Sequence, residues 1–223
     1  MARDMYGDMT GASAWMMTDK RDVTHLVLLF IMWVVMMAGM MLPSAIPVVL
    51  QYAQVIRGGP NSDRVPAHLY AFAGGYLLIW TAFSLAATIV QRLLAHLLVL
   101  TPMMEPSSPV FGGALLITAG IFQFTPMKRS CLEHCRSPAR FITEHIRPGV
   151  SGALRLGVDH GLHCLGCCWA LMLLLFVGGV MNLWCILALT IVVLLEKVAL
   201  FGLQGSRILG ALVIALGVWV LFR

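Results

Sequence analysis

Charge is what this chain lacks most. Only 11% of its 223 residues are Asp, Glu, Lys or Arg, against about 25% in a soluble domain. Such a chain cannot cover a soluble surface. The regular apolar and polar alternation of a membrane barrel is missing as well. No basic stripe with interleaved aromatics occurs, so the net charge of +5 is not a nucleic-acid signal, and no nucleic-acid partner is expected. The sequence has no phosphate-binding glycine loop, no nucleophile elbow and no Ser–His–Asp arrangement, and nothing in it supports an enzymatic role. It shows no internal repeat and no separate soluble domain. The opening stretch "MARDMYGDMTGASAWMMTDKRD" has no short apolar core and no small-residue cleavage site, so no cleavable leader is expected.

What is present is hydrophobicity. Apolar residues make up 60% of the chain and mean hydropathy is +0.88. A helical crossing of a bilayer takes roughly 20 residues. Six runs approach or exceed that length, at about 25–50, 68–99, 110–127, 156–180, 183–202 and 206–222. The fold class expected is therefore all-α, a polytopic bundle of about six transmembrane helices. A tail over 1–24 precedes a single membrane domain over 25–223, which contains a basic Cys/His loop at 128–155. The second run is too long for an upright span, so it tilts or projects from the lipid. The turns "GGVMN" and "GLQGS" are short, which makes the last three spans adjacent and antiparallel.

Loop cations orient the bundle. Arg57, Arg64, Lys128, Arg129, Arg136, Arg140, Arg147, Arg155 and Arg207 fall on one face of a six-span arrangement, and Arg3, Lys20, Arg21 and Arg223 on the other. Lys and Arg concentrate in cytoplasmic loops. Both termini are therefore expected outside, with the 128–155 segment in the cytoplasm.

Against this apolar background, soft and borderline ligands cluster. "HGLHCLGCCW" opens the fourth run. On a helix, positions three, four and seven apart share a face. His160, His163, Cys164, Cys167 and Cys168 obey that spacing and occupy an arc of about 140° at 100° per residue. Thiolate and imidazole suit Cu(I), with zinc and iron as alternatives. Tight packing of small buried cysteines is the competing explanation. The two nearby histidines and Asp159 weigh against it.

A second group stands in "CLEHC". Cys131, His134 and Cys135 again follow i, i+3, i+4, on the same expected side as His160. They supply part of a metal site, a labile disulfide between Cys131 and Cys135, or ordinary reduced thiols. A third group is methionine. Met36, Met37, Met40 and Met41 recur at helical spacing in the first run, among 15 Met in the chain. Thioether favours Cu(I), although such stripes also fill core gaps. Met16–Met17 and Met103–Met104 would extend a soft path at the outer face. Pro43 and Pro47 are expected to kink this run.

Glu196 and Lys197 interrupt the fifth run. Intramembrane charges face the bundle interior or mark function. Adjacent helical residues diverge by about 100°, so these two do not simply pair with each other. Glu196 is a candidate ligand, proton acceptor or partner to a histidine. The alternative places both near the cytoplasmic end, with Lys197 snorkelling to headgroups. The glycine pairs in "AFAGGYLLIW" and "FVGGVMN" read as close helix contacts. His25, His68 and His96 read as interfacial polar residues.

Taken together, "MMAGMMLPS", "GGYLLIW", "AGIFQFTPMKRSCLEHCRSP", "GVDHGLHCLGCCWALM", "GVMN" and "EK" resemble the bacterial family of predicted metal-binding integral membrane proteins. That family includes a membrane copper chaperone serving a tyrosinase. The resemblance runs from about residue 30 to 200, and "TPMKRSCLEHCRSP" and "HGLHCLGCCWALM" are its specific parts. It implies a multi-pass protein of the bacterial inner membrane that binds copper and serves a copper-dependent enzyme or the subunits of a membrane complex. Copper delivery or metalloenzyme assembly is the function expected. A subunit of a larger oxidase or monooxygenase complex and a passive metal transporter are the alternatives. A thiol oxidoreductase ranks last, because no thioredoxin-like pattern surrounds the Cys pairs.

Overall fold

The computed structural model describes residues 23–59, 62–97, 108–180, 182–198 and 202–222, and among them every regular element is a helix. Met16, Met17, Met103, Met104, Arg3, Lys20, Arg21 and Arg223 lie outside the described residues. The first run forms α1 (Val23–Arg57), which continues unbroken through Pro43 and Pro47. After a 3-10 turn at Ser62–Arg64, α2 (Val65–His96) begins with a proline in its first turn, where the missing N–H costs nothing.

The third run does not end where its hydropathy suggests. α3 (Pro109–Phe122) stops, and α4 (Pro126–Arg136) departs at 63°. The cause is local. Thr125 caps the new helix by accepting from Lys128 N at 3.3 Å, and Pro126 at its first position cannot donate back to α3. The segment 128–155, expected as a loop, is largely helical for the same kind of reason. α5 (Pro138–His145) starts on a proline, and α6 (Gly149–Leu173) starts just after Pro148. α7 (Leu175–Gly178) extends α6 by one turn. α8 (Leu183–Val198) is capped by Asn182, whose Oδ1 accepts from Trp184 N and Cys185 N. α9 (Gly202–Phe222) follows.

Four stretches are long and apolar enough to cross a membrane: Val23–Arg57, Val65–His96, Gly149–Gly178 and Gln204–Phe222. The bent pair α3–α4 makes a fifth if it counts as one. The described part of α8 has 16 residues, about 24 Å of helix. A helical bundle is what forms, and among the described residues four or five stretches, rather than six, are long and apolar enough to cross a membrane.

The bundle is organised around α6. Its most extensive partner is α2, which runs parallel to it, and the two backbones touch through glycine. A Cβ on Gly75 would strike the Leu154 carbonyl, and one on Gly157 would strike the Phe72 carbonyl. α3 and α9 make the second closest pair, antiparallel, with Gly113 against Gly217 and Gly120 against Gly210. Small residues let two helix backbones approach this closely. α1 lies antiparallel to α2, joined by Trp33 Nε1 donating to Gln91 Oε1 at 2.6 Å. α4 packs on α6, and α8 packs on α1 and α9. The Gly157 contact is with backbone, so no rotamer change relieves it. Gly157→Ala is therefore expected to cost about 1–3 kcal/mol as an overpacked site. Thermal unfolding in detergent, read by tryptophan fluorescence, checks this, with Gly74→Ala as the control because a Cβ there meets nothing within 4 Å.

Candidate metal centre

α6 presents its ligands to neighbours on two sides. Cys164, Cys167 and Cys168 are all buried, at 0%, 1% and 1% exposure. Cys167 and Cys168 donate back to the Cys164 carbonyl at 3.0 and 2.9 Å, a use of the helix's own acceptor that keeps both sulfurs close to Cys164. The Cys164 sulfur lies 3.1 Å from Tyr76 Oη on α2 and receives Lys197 Nζ from α8 at 2.8 Å. Lys197 also donates to Ser44 Oγ on α1 at 3.0 Å, and Tyr76 Oη donates to the Met41 carbonyl at 3.1 Å. Four helices thus meet at Cys164. Lys197 does not snorkel. It is 7% exposed and finds inside the bundle the partners that a buried cation requires.

The second sequence cluster joins the first. α4 places Cys135, 8% exposed, in the same buried cluster as Cys164, Cys167 and Cys168. Cys131 packs on the α6 backbone at Gly166, where a Cβ would come within 2.7 Å of its sulfur. His134 stacks on His163 with ring centroids 4.5 Å apart, and His145 of α5 stands 6.3 Å from His163. His134, His145 and His163 each place Nδ1 on the carbonyl four residues earlier, at 2.8, 3.0 and 2.7 Å. A ring that donates through Nδ1 carries its lone pair on Nε2, the arrangement found in metal-ligating histidines.

The other expected ligands are placed as follows. His160 turns away from His163 and sits among the Tyr76, Phe72 and Phe141 rings, 2% exposed, with Nδ1 lacking a partner. Met37, Met40 and Met41 are buried in the same apolar cluster as the three α6 thiols, and Met36 packs against it. Glu196 Oε2 accepts from Lys128 Nζ at 2.6 Å, a pair exposed only 7% and 1%, while Glu196 Oε1 has no partner. Cys185 packs against Gly178 instead of joining the group. All six cysteines are free thiols. His25 and His68, expected at the interface, are buried, and His96 is exposed.

No three His, Cys, Asp or Glu side chains among the described residues already converge as a metal-holding group. The thiols are engaged with each other's helix, with Lys197 and with Tyr76. The donor set nonetheless fits a soft cation by its chemistry, with the three α6 thiols and Cys135 in one buried cluster and His134 and His163 stacked beside it. Tyr76, Lys197, Lys128, Ser44 and His145 were not singled out as site residues from sequence. Tyr76 had a legible signal, since a phenol in an apolar run needs a partner for its hydroxyl. Ser44 and His145 had none.

A family model for PpoB2, a copper chaperone, matches residues 30–220. No curated protein and no solved structure matches the chain.

Proposed function

The chain belongs to the PpoB2 copper chaperone family, and on that premise we propose that it holds Cu(I) within a bacterial inner membrane and hands it to a copper-dependent enzyme. The stacking of His134 on His163 at 4.5 Å, with Cys131 against the α6 backbone at Gly166, carries this reading, because it unites two ligand clusters that are separate in sequence. Cys164, Cys167, Cys168 and Cys135 are the binding thiols, with Cys131 beside them. His134 and His163 receive or release the ion through Nε2, at the expected cytoplasmic side. Met37, Met40 and Met41 give the thiols a soft, water-free wall. Glu196 acts through Lys128, as the counter-ion that allows this cation to sit near Cys167. His160 is held in reserve among its aromatic neighbours.

Transfer in this scheme is ligand exchange. Each sulfur already has a replaceable partner, namely the Cys164 carbonyl for Cys167 and Cys168 and Lys197 for Cys164. A sulfur that binds Cu(I) gives up its proton and its hydrogen bond, and regains both on release; in transfer a Cu–S bond to the protein breaks as one to the incoming thiolate or imidazole forms, so the chain needs no nucleotide. Both termini lie outside and the α4–α5 segment faces the cytoplasm in this arrangement.

The test is metal analysis of purified protein, with X-ray absorption at the bound ion. Copper in a low-coordinate shell of sulfur is the expected result. Four-coordinate zinc would make the site structural and favour a subunit of a larger complex. No metal after Cu(I) loading of fully reduced protein would sink the reading.

A further inference from the structure

Where α3 breaks into α4, the chain borders an open cavity of about 450 Å3 against the start of α9. Gln123, Thr125, Arg129, Ser206 and Arg207 are among the residues that line it. Its donors suit an anion. Gln123 is 4% exposed, and its Oε1 accepts from Ser206 Oγ at 3.2 Å. That bond leaves the amide Nε2 as the other end, and it is buried without an acceptor. Buried donors are nearly always satisfied, so this one marks a place for an acceptor that the protein does not supply. The N-terminus of the 11-residue α4 opens at the same cavity, and its dipole favours negative charge.

The surrounding charges agree in sign. Glu196 is neutralised by Lys128 and Glu133 by Arg129. Arg207 is exposed and takes part in none of the ion pairs among the described residues. Phe124 also lines the cavity and is 51% exposed, which puts an apolar ring beside a cationic pocket. A free inorganic anion has no use for that ring, and a lipid does.

We propose that this cavity binds a phosphate group, that of an anionic phospholipid headgroup, with Arg207 and Gln123 Nε2 on the phosphate and Phe124 against the acyl chain. Basic pockets between helices at the cytoplasmic surface recognise such headgroups. The proposal rests on the membrane reading above and is independent of copper.

The experiment is native mass spectrometry of the full chain, delipidated in detergent and titrated with phosphatidylglycerol or with phosphatidylcholine. Phosphatidylglycerol is expected to bind preferentially. Arg207→Gln, an exposed change, is expected to weaken it about fivefold, the contribution of one surface cation. Gln123→Leu should weaken it as well. Arg57→Gln removes an exposed cation from the end of α1 and should change nothing. Equal binding of the two lipids, or wild-type binding by Arg207→Gln, overturns the proposal. Displacement of the lipid by millimolar inorganic phosphate would keep the phosphate chemistry and overturn the lipid as its source. Failure of the protein to insert into nanodiscs would instead remove the membrane reading itself.

Discussion

Serine at both Cys164 and Cys167 is expected to lower Cu(I) affinity more than about 100-fold, since groups merely supporting a metal ligand are themselves worth about 10–100-fold. The substitution is conservative in every respect except the donor atom. Serine fills nearly the same volume and can still donate to the Cys164 carbonyl, as Cys167 does at 3.0 Å. It can also still receive Lys197. The fold therefore has little reason to change. What is lost is soft sulfur, replaced by a hard oxygen that Cu(I) disfavours.

Competition with a chromogenic Cu(I) chelator measures the affinity directly. Cys185→Ser supplies the control, because Cys185 packs against Gly178 outside the thiol group. Cys135→Ser is the informative single change. If α4 contributes a ligand, it weakens binding on its own. If Cys135 only packs, it behaves like Cys185→Ser and the two clusters act separately. An unaltered affinity in the Cys164/Cys167 double variant would remove the thiols from the mechanism.

The parts of this site that were legible in the sequence are the local ones. The face of α6 followed from the i, i+3, i+4, i+7 spacing of His160 through Cys168, because helical geometry alone sets it. The divergence of Glu196 from Lys197 followed from the same 100° step. The proline positions in "TPMKRS", "SPAR" and "RPGV" also held the signal for the helices that replace the expected loop, since each stands at or just before a helix start. What hydropathy could not reveal was which elements meet. An arc of about 140° is wide enough to face two neighbours, and α6 has α2 along one side and α4 along the other, with Phe141 of α5 reaching both His160 and His163. His160 accordingly goes to the aromatic rings of α2 and α5, and His163 goes to His134. Whether Lys197 faces the interior or snorkels stayed open in the sequence because its partners, Ser44 and Cys164, are 153 and 33 positions away. The Lys128–Glu196 pair spans 68 positions and left no local trace.

That pair should dominate stability at the site. Glu196→Leu is expected to cost about 3–5 kcal/mol, the penalty of leaving one member of a buried ion pair unmatched. Lys128 is 1% exposed, so without Glu196 its charge is left buried. Lys128→Met should cost a similar amount, by leaving the Glu196 carboxylate alone. The double variant is expected to recover most or all of the loss, because two apolar side chains of similar volume often replace a buried pair without penalty. Unfolding in detergent, followed by tryptophan fluorescence across the four proteins, measures the coupling. The same double variant separates two roles for Glu196. Its Oε1 has no protein partner, so a direct contact with cargo is open to it chemically. As a counter-ion acting through Lys128, it is dispensable once Lys128 is gone, and Cu(I) affinity in the double variant should stay within about tenfold of wild type, roughly 1.4 kcal/mol. A stable double variant that has lost copper would make Glu196 a ligand, and the pair with Lys128 would then be how the bundle holds that carboxylate buried until the ion arrives.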